Sequence, residues 1–332
     1  MKLEDGTDDP RWLAWRREGV TATDVADAYA GTYGGTYSVV AKKLGYEHVE
    51  QTAQMQRGHD WQPVISDAVH TLTGWYVVGE ETWCANADDD RWRATVDGFL
   101  APEAEVSIED VQAVLEVKTR GVSVRPNRDR WATQMQWQML VTATKRALLA
   151  EATIDDDANE CRGVRLEWVE ADEYLQSQLV ELAETIYRHV QDGTLPDPDT
   201  PSALDSVKQV TAHADPDAEP VDLTDIEADL ARFDEIKAAV KAVTDEQKVL
   251  EARIRNTLGE ATRGELDGYR VSLSKPASKL TDDAAAELLE AHPEYAVQAL
   301  DRARVRAEDK ALYDAFCKPV GARRLTVTRK GE

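Results

Sequence analysis

Thr95-Val96-Asp97-Gly98-Phe99 and Leu115-Glu116-Val117-Lys118 are the two stretches on which the reading of this chain turns. The first sets a carboxylate at a turn. The second sets a carboxylate and a lysine two residues apart in a run of strand formers. Side chains alternate along a strand, so Glu116 and Lys118 share a face while Val117 turns into the core. Two hard oxygen ligands can hold a magnesium ion, and a neighbouring ammonium can steer a water or steady a developing negative charge. Those parts suit hydrolysis of a phosphodiester. Glu-x-Lys between apolar residues also describes an ordinary strand with solvated edge charges, so the surrounding residues have to agree.

Working outward, 332 residues suffice for one large domain or two ordinary ones, and a 42% hydrophobic content suffices for a core. A formal net charge of −24 argues against a general nucleic-acid coat protein, because phosphate would be repelled, but allows a nuclease with a locally basic channel. Cys84, Cys161 and Cys317 lie far apart, forming neither a disulfide framework nor a metal-binding pair, as expected in a reducing compartment. The start Met1-Lys2-Leu3-Glu4-Asp5-Gly6 lacks the apolar run of a signal peptide, and no stretch is long and apolar enough to span a membrane. The expectation is a soluble protein of the cytoplasm, a host's cytoplasm where a phage encodes it.

All nine tryptophans fall between Trp12 and Trp168. Beyond them, residues 194–220 carry Pro196, Pro198, Pro201, Pro216 and Pro220 among Asp, Thr, Ser and Ala, a composition read as unable to build a core. This predicts a domain over 1–195, a linker over 196–220 and a helical region with short strands over 221–332.

In the first domain, helices are predicted from Thr21-Ala22-Thr23-Asp24, over 38–44, over 58–72 ending at Gly74, over 131–141 and over 172–192. Strands are predicted over 75–78, 92–96, 111–118, 146–153 and 164–169, with 102–110 as an extended hairpin turn. That order is α/β. Asp88-Asp89-Asp90 and Asp155-Asp156-Asp157 read as solvated turns, without the glycine and spacing of a calcium loop. Beyond the linker, Leu223, Ile226, Leu230, Phe233, Ile236, Val240, Val243, Leu250, Ile254 and Leu258 follow one long amphipathic helix. A strand over 269–275, a helix over 282–289 and a basic final strand over 323–330 complete the expectation.

Further pieces surround the acid–lysine pattern in a definite order. Trp12-Leu13-Ala14-Trp15-Arg16 leads to Val20-Thr21-Ala22-Thr23-Asp24-Val25, then to Met55-Gln56-Arg57-Gly58-His59-Asp60-Trp61-Gln62-Pro63 and Thr73-Gly74. After the acids and lysine comes Gln134-Met135-Gln136-Trp137-Gln138-Met139. Over residues 10–195 this succession resembles the YqaJ-like viral recombinases, the phage lambda-type alkaline exonucleases of the PD-(D/E)xK nuclease superfamily.

The resemblance implies a PD-(D/E)xK core, a mixed central sheet flanked by helices, with a C-terminal α+β extension. It also implies a metal-dependent 5′-to-3′ exonuclease that digests one strand of duplex DNA from its ends and leaves a 3′ overhang for a single-strand annealing protein. Asp97, Glu116 and the Val117 carbonyl then match the ligands of Mg2+, for which Mn2+ can substitute. Lys118 matches the catalytic lysine. Arg16 and Thr23 match positions that grip a terminal 5′-phosphate. Gln134 and Gln136 match a glutamine helix over the active site, with Gln134 assigned to DNA contact and Gln136 to orienting water or phosphate. Family members work as homotrimers threading duplex, which would collect Arg16, Arg120, Arg125, Arg128 and Arg130 along a channel.

One departure matters. The family's usual glutamate, four residues after the glycine of the Gly58 segment, is Gln62 here. An amide oxygen can ligate weakly but brings no negative charge. Asp60 lies about 200° away round a helix, and His59 is a poor magnesium ligand. A non-catalytic DNA-end-binding scaffold of the same fold is therefore the rival reading. A related nuclease carrying an iron–sulfur cluster is set aside, since three scattered cysteines cannot supply four ligands.

Overall fold

The computed structural model describes residues 10–47, 52–107, 110–212 and 219–272, together with Glu290 and Lys310. The chain divides into two compact units, Met1–Ala214 and Asp215–Glu332.

The first unit opens with α1 (Pro10–Glu18), β1 (Val20–Thr21), α2 (Ala22–Tyr29), α3 (Gly35–Lys43) and α4 (Ala53–Thr73). Four short strands follow: β2 (Tyr76–Val78), β3 (Thr82–Ala85), β4 (Trp92–Val96) and β5 (Gly98–Ala101). Then come β6 (Ala113–Gly121), α5 (Arg128–Thr142), β7 (Arg146–Asp155), β8 (Glu160–Glu170), α6 (Glu173–Asp192) and α7 (Ala203–Val210). The fold is mixed α/β, as expected. A five-stranded sheet has the order β2-β5-β6-β7-β8, antiparallel except for the β6–β7 pair, which α5 connects as the crossover. A smaller sheet has the order β1-β4-β3.

Alternation along β6 and β7 sorts the large sheet's two faces. Ala113, Leu115, Val117, Leu148, Ala150 and Ala152 pack with Ile65 and Val69 of α4. Val114, Ala147 and Leu149 pack with Trp131, Met135 and Met139 of α5. Being covered on both faces, β7 reads as a nearly continuous apolar run, Ala147-Leu148-Leu149-Ala150. A third core cluster joins α2, α3 and α6 through Val25, Val40 and Leu179 to Trp92 and Trp137, whose rings meet edge-on at 5.6 Å.

Local signals placed the helices well. Thr21 caps α2 in a capping box: Asp24 N donates to the Thr21 hydroxyl oxygen, and Thr21 N donates to the Asp24 carboxylate at 2.8 Å. Gly74, with φ +74°, ends α4 by donating to the His70 carbonyl. α4 begins at Ala53 rather than near Gly58, because Thr52 supplies its cap to Met55 N. Strands β3 and β5 were not foreseen; both are four residues long and exist through their pairing with β4 and β6.

The expected linker needs correction. Residues 203–210 form α7, whose Ala203 and Ser206 are buried, and Ala203 clusters with Tyr37 and Ala41 of α3 alongside Leu195, Val207 and Val210. The Ser202 hydroxyl donates to the Gly31 carbonyl at 2.8 Å and accepts from Gly34 N. Pro196, Pro198 and Pro201 precede α7 without preventing one amphipathic helix.

The second unit contains a 3-10 turn (Thr224–Ile226), α8 (Glu227–Leu258) and an antiparallel hairpin of β9 (Arg263–Leu266) and β10 (Tyr269–Ser272). No described residue of α8 is buried, and Phe233, Ile236, Val240, Val243, Leu250 and Ile254 stand exposed along it. Residues 273–275 of the strand expected over 269–275, the helix over 282–289 and the final strand lie outside the described residues. Among the described residues, no helix is long and apolar enough to cross a membrane.

Candidate active site

The β5–β6 hairpin brings the two acids together. Its ladder pairs Gly98 with Leu115, so the next step outward sets Asp97 beside Glu116 although nineteen positions separate them in the chain. Asp97 sits in the bend where β4 of the small sheet passes into β5 of the large one. Gly98 leaves room for β2 on the other side of β5: a Cβ there would lie 2.7 Å from Val77 Cγ1. Val117 N donates to Asp97 Oδ2 at 2.7 Å, tying the first acid to the residue after the second. Lys118 Nζ pairs with Glu116 Oε1, as their shared strand face predicted. The acid–acid–lysine convergence therefore holds in three dimensions.

Glu116 is buried, and two amides serve it. Gln134 Nε2 donates to Oε1 at 2.7 Å, and Gln138 Nε2 donates to Oε2 at 2.6 Å. Positions 134 and 138 lie one helical turn apart on α5, so both meet the same carboxylate. Gln138 also donates to the Thr95 carbonyl at 3.3 Å. Burial pushes the Asp97 carboxyl up to about 7, with the Glu116 charge adding to the rise and Lys118 and the Val117 N–H opposing it.

Two glutamine assignments change. Gln136 does not reach the acids. Its Nε2 donates to the Glu170 carbonyl at 2.7 Å and its Oε1 accepts from Asp172 N at 2.8 Å, so it ties α5 to the β8–α6 junction. Two residues along a helix turn a side chain about 200°, which is why 134 and 136 cannot share a target. Gln134 is in the site, but its amide is committed to Glu116 rather than turned out to DNA. Gln138, to which the sequence reading gave no role at the site, is the second amide on Glu116.

Gln62 does face the site: its Nε2 donates to the Asp97 carbonyl at 3.3 Å. Asp60 accepts from Gln56 on the exposed side of α4 and offers no substitute. Among the described residues no three Asp, Glu, His or Cys side chains gather as a metal-binding group. The donors present are two carboxylates, the Val117 carbonyl and the Gln62 amide. This all-oxygen set fits a magnesium ion that keeps several of its waters, and it is one charge short of a three-carboxylate site.

Arg16 packs over the Trp12 ring at 4.6 Å, and its Nη2 donates to the Thr21 hydroxyl at 3.4 Å. Thr23 is half-buried in the first turn of α2. Trp12 Nε1 donates to Thr95 Oγ1 at 3.0 Å, pinning α1 to β4 two residues before Asp97. Lys43 fastens this corner from below, donating to the carbonyls of Arg16 and Gly19 and pairing with Asp24 at 2.8 Å. Its partner Asp24 is held below the usual carboxylate range: burial opposes this, and Lys43 and Arg16 outweigh it.

Most of the arginines expected along a trimer channel have carboxylate partners within this chain. Arg120 and Arg128 both pair with the buried Glu151, Arg128 also reaches Glu167, and Arg130 pairs with Asp27 at 2.5 Å. These guanidinium groups neutralise carboxylates inside the fold. Arg125 is exposed.

With this geometry established, the matched family model is the YqaJ-like viral recombinase domain, over residues 11–145. The matched stretch includes Arg16, Thr23, Gln62, Asp97, Glu116, Lys118 and the α5 glutamines. Among solved structures, the alkaline exonuclease LHK-Exo from Laribacter hongkongensis is similar at 20% identity, covering 55% of this chain and 93% of that one, with TM-score 0.43. A putative exonuclease from Eubacterium rectale is similar at 14% identity, covering 68% and 99%, with TM-score 0.45. A phage-related exonuclease from Haemophilus somnus 129PT is similar at 14% identity, covering 53% and 96%, with TM-score 0.39. No curated protein matches the sequence.

Proposed function

We propose that the first unit is a Mg2+-dependent double-stranded DNA exonuclease, with Mn2+ as an alternative ion. The observation that carries this reading is the juxtaposition of Asp97, Glu116 and Lys118, fixed by the hairpin register and the Val117 N–H to Asp97 bond. Asp97, Glu116 and the Val117 carbonyl would hold the ion, which when bound supplies Lewis-acid stabilisation of phosphoryl oxygens and a more acidic water. Lys118 balances the charge of Glu116 and presents an ammonium where negative charge develops on the reacting phosphate. Gln134 and Gln138 hold Glu116 in place, and Gln62 steadies the Asp97 backbone.

The recombinase-domain match supports digestion from duplex ends in the 5′-to-3′ direction, leaving 3′ single strands for a strand-annealing partner. In the same reading Arg16 and Thr23 receive the terminal 5′-phosphate and the active assembly is a homotrimer. The test is digestion of linear duplex carrying either a 5′-phosphate or a 5′-hydroxyl, with Mg2+, Mn2+ or EDTA. Release of nucleotides from the phosphorylated strand only with metal is expected; metal-independent release, or release from 3′ ends, would overturn the assignment.

One observation favours the second reading, a DNA-end-binding scaffold with little or no catalysis: Gln62 stands where the third acid belongs, and no other carboxylate in the described site replaces it. Tight binding to duplex ends without digestion at any Mg2+ concentration would select it.

A further inference from the structure

Gln138 is 0% exposed, yet its Oε1 has no hydrogen-bond partner among the described residues. A buried, unmet carbonyl costs stability, and what the rest of the amide does has to offset that cost. What the amide supplies is its nitrogen. Nε2 donates both to Glu116 Oε2 at 2.6 Å and to the Thr95 carbonyl at 3.3 Å. Thr95 lies two residues before Asp97 on β4, so one side chain joins the strand that delivers the first acid to the carboxylate that is the second. The amide cannot be reversed, because its oxygen would then face two acceptors.

A carboxylate offers about four acceptor positions. Lys118 and Gln134 occupy both on Oε1, and Gln138 occupies one on Oε2. One position on Oε2 remains. We infer that Gln138 is a positioning residue for the candidate metal centre, locking Glu116 so that a single Oε2 lone pair is left for the ion and holding that carboxylate in register with Asp97. This rests on the metal-ligand reading of Asp97 and Glu116. It also accounts for a costly amide in a site one charge short: fixing the two remaining carboxylates offsets part of what the glutamine at position 62 does not supply.

The test compares the full-length protein with Gln138→Leu and Gln138→Met. Mn2+ binding is measured by calorimetry without DNA, thermal midpoint is recorded in EDTA, and digestion of linear duplex is followed across Mg2+ concentrations. Expected is a folded variant with a lowered midpoint, since Glu116 Oε2 and the Thr95 carbonyl lose their donor, Mn2+ affinity lower by about ten- to a hundredfold, an unchanged KM for DNA, and a reduced kcat that recovers as Mg2+ is raised. Unaltered Mn2+ affinity in a folded variant would overturn the inference. Failure of both variants to fold would also overturn it by making Gln138 a packing residue. Failure of the parent reading looks different: the unsubstituted protein would then bind no Mn2+, or bind it equally well after Asp97→Asn.

Discussion

The two units of this chain treat their apolar side chains in opposite ways. In residues 10–212 both faces of β6 and β7 and the inner side of α4, α5 and α6 are covered, and even the buried polar groups Glu116, Glu151 and Asp27 have charged or amide partners. In residues 219–272 a 32-residue helix carries an apolar stripe with no buried residue among those described. Helices of that kind gain most of their stability from packing rather than propensity. The first unit is thus self-sufficient in its core and holds all the candidate chemistry, whereas the second presents a surface.

The harshest challenge to this contrast is Lys118→Ala, which should lower kcat by about 10³-fold while leaving DNA binding intact. Near-full activity in that variant would place the chemistry elsewhere. Truncation tests the boundary. Ending the chain after Ala212 should preserve both cleavage and thermal midpoint, whereas ending it after Thr200 removes α7, uncovers Tyr37 and Ala41, and should lower the midpoint by several degrees. Loss of cleavage in the longer truncation would tie the second unit to catalysis and dissolve the comparison.

Sharpening within the first unit comes next. Gln62→Glu should raise metal affinity by about tenfold, measured as Mn2+ binding; no change would mean the side chain points away from the ion. Asp97 offers a smaller, pH-dependent signature. Its carboxyl keeps a proton in the folded protein that the unfolded chain has already lost above its ordinary pKa near 3.8, so stability in EDTA should fall between about pH 4 and pH 7 and level off above. Asp97→Asn should flatten that slope, and an identical slope in the variant would refute the assignment. Smallest of all, Gln136→Ala should leave kcat within about twofold and cost about 1 kcal/mol of stability, since it breaks the ties to Glu170 and Asp172 without touching the acids.

What could be read in advance follows from which interactions are local. The cap at Thr21, the stop at Gly74 and the alternation through Glu116-Val117-Lys118 are short-range signals, and each appears where expected. Asp97 and Glu116 were recognisable as a pair, but their meeting depends on a ladder register that single residues do not encode. The glutamines misled for a specific reason. α5 is buried on nearly every side, from Trp131 through Val141, so no apolar phase shows which face meets the acids, and the one-turn spacing of 134 and 138 was the signal that could have paired them. Short-range composition also misjudged residues 196–212, where Ala203 and Val207 needed a distant partner in α3 before their spacing had meaning. Pairing of Arg120 and Arg128 with Glu151 was hidden likewise, because Glu151 looks like any strand carboxylate until β7 is placed beside β6.

The bend at Asp97 has a mechanical consequence. One end of that residue is anchored in the β1-β4-β3 sheet and the other in the five-stranded sheet, with α1 fastened just upstream by Trp12. Any tilt of the smaller sheet, for instance on engaging a ligand at the α1–α2 corner, would be transmitted to the carboxylate as a change in its spacing from Glu116. The joint between the two sheets is a single residue wide, and that residue carries the first acid.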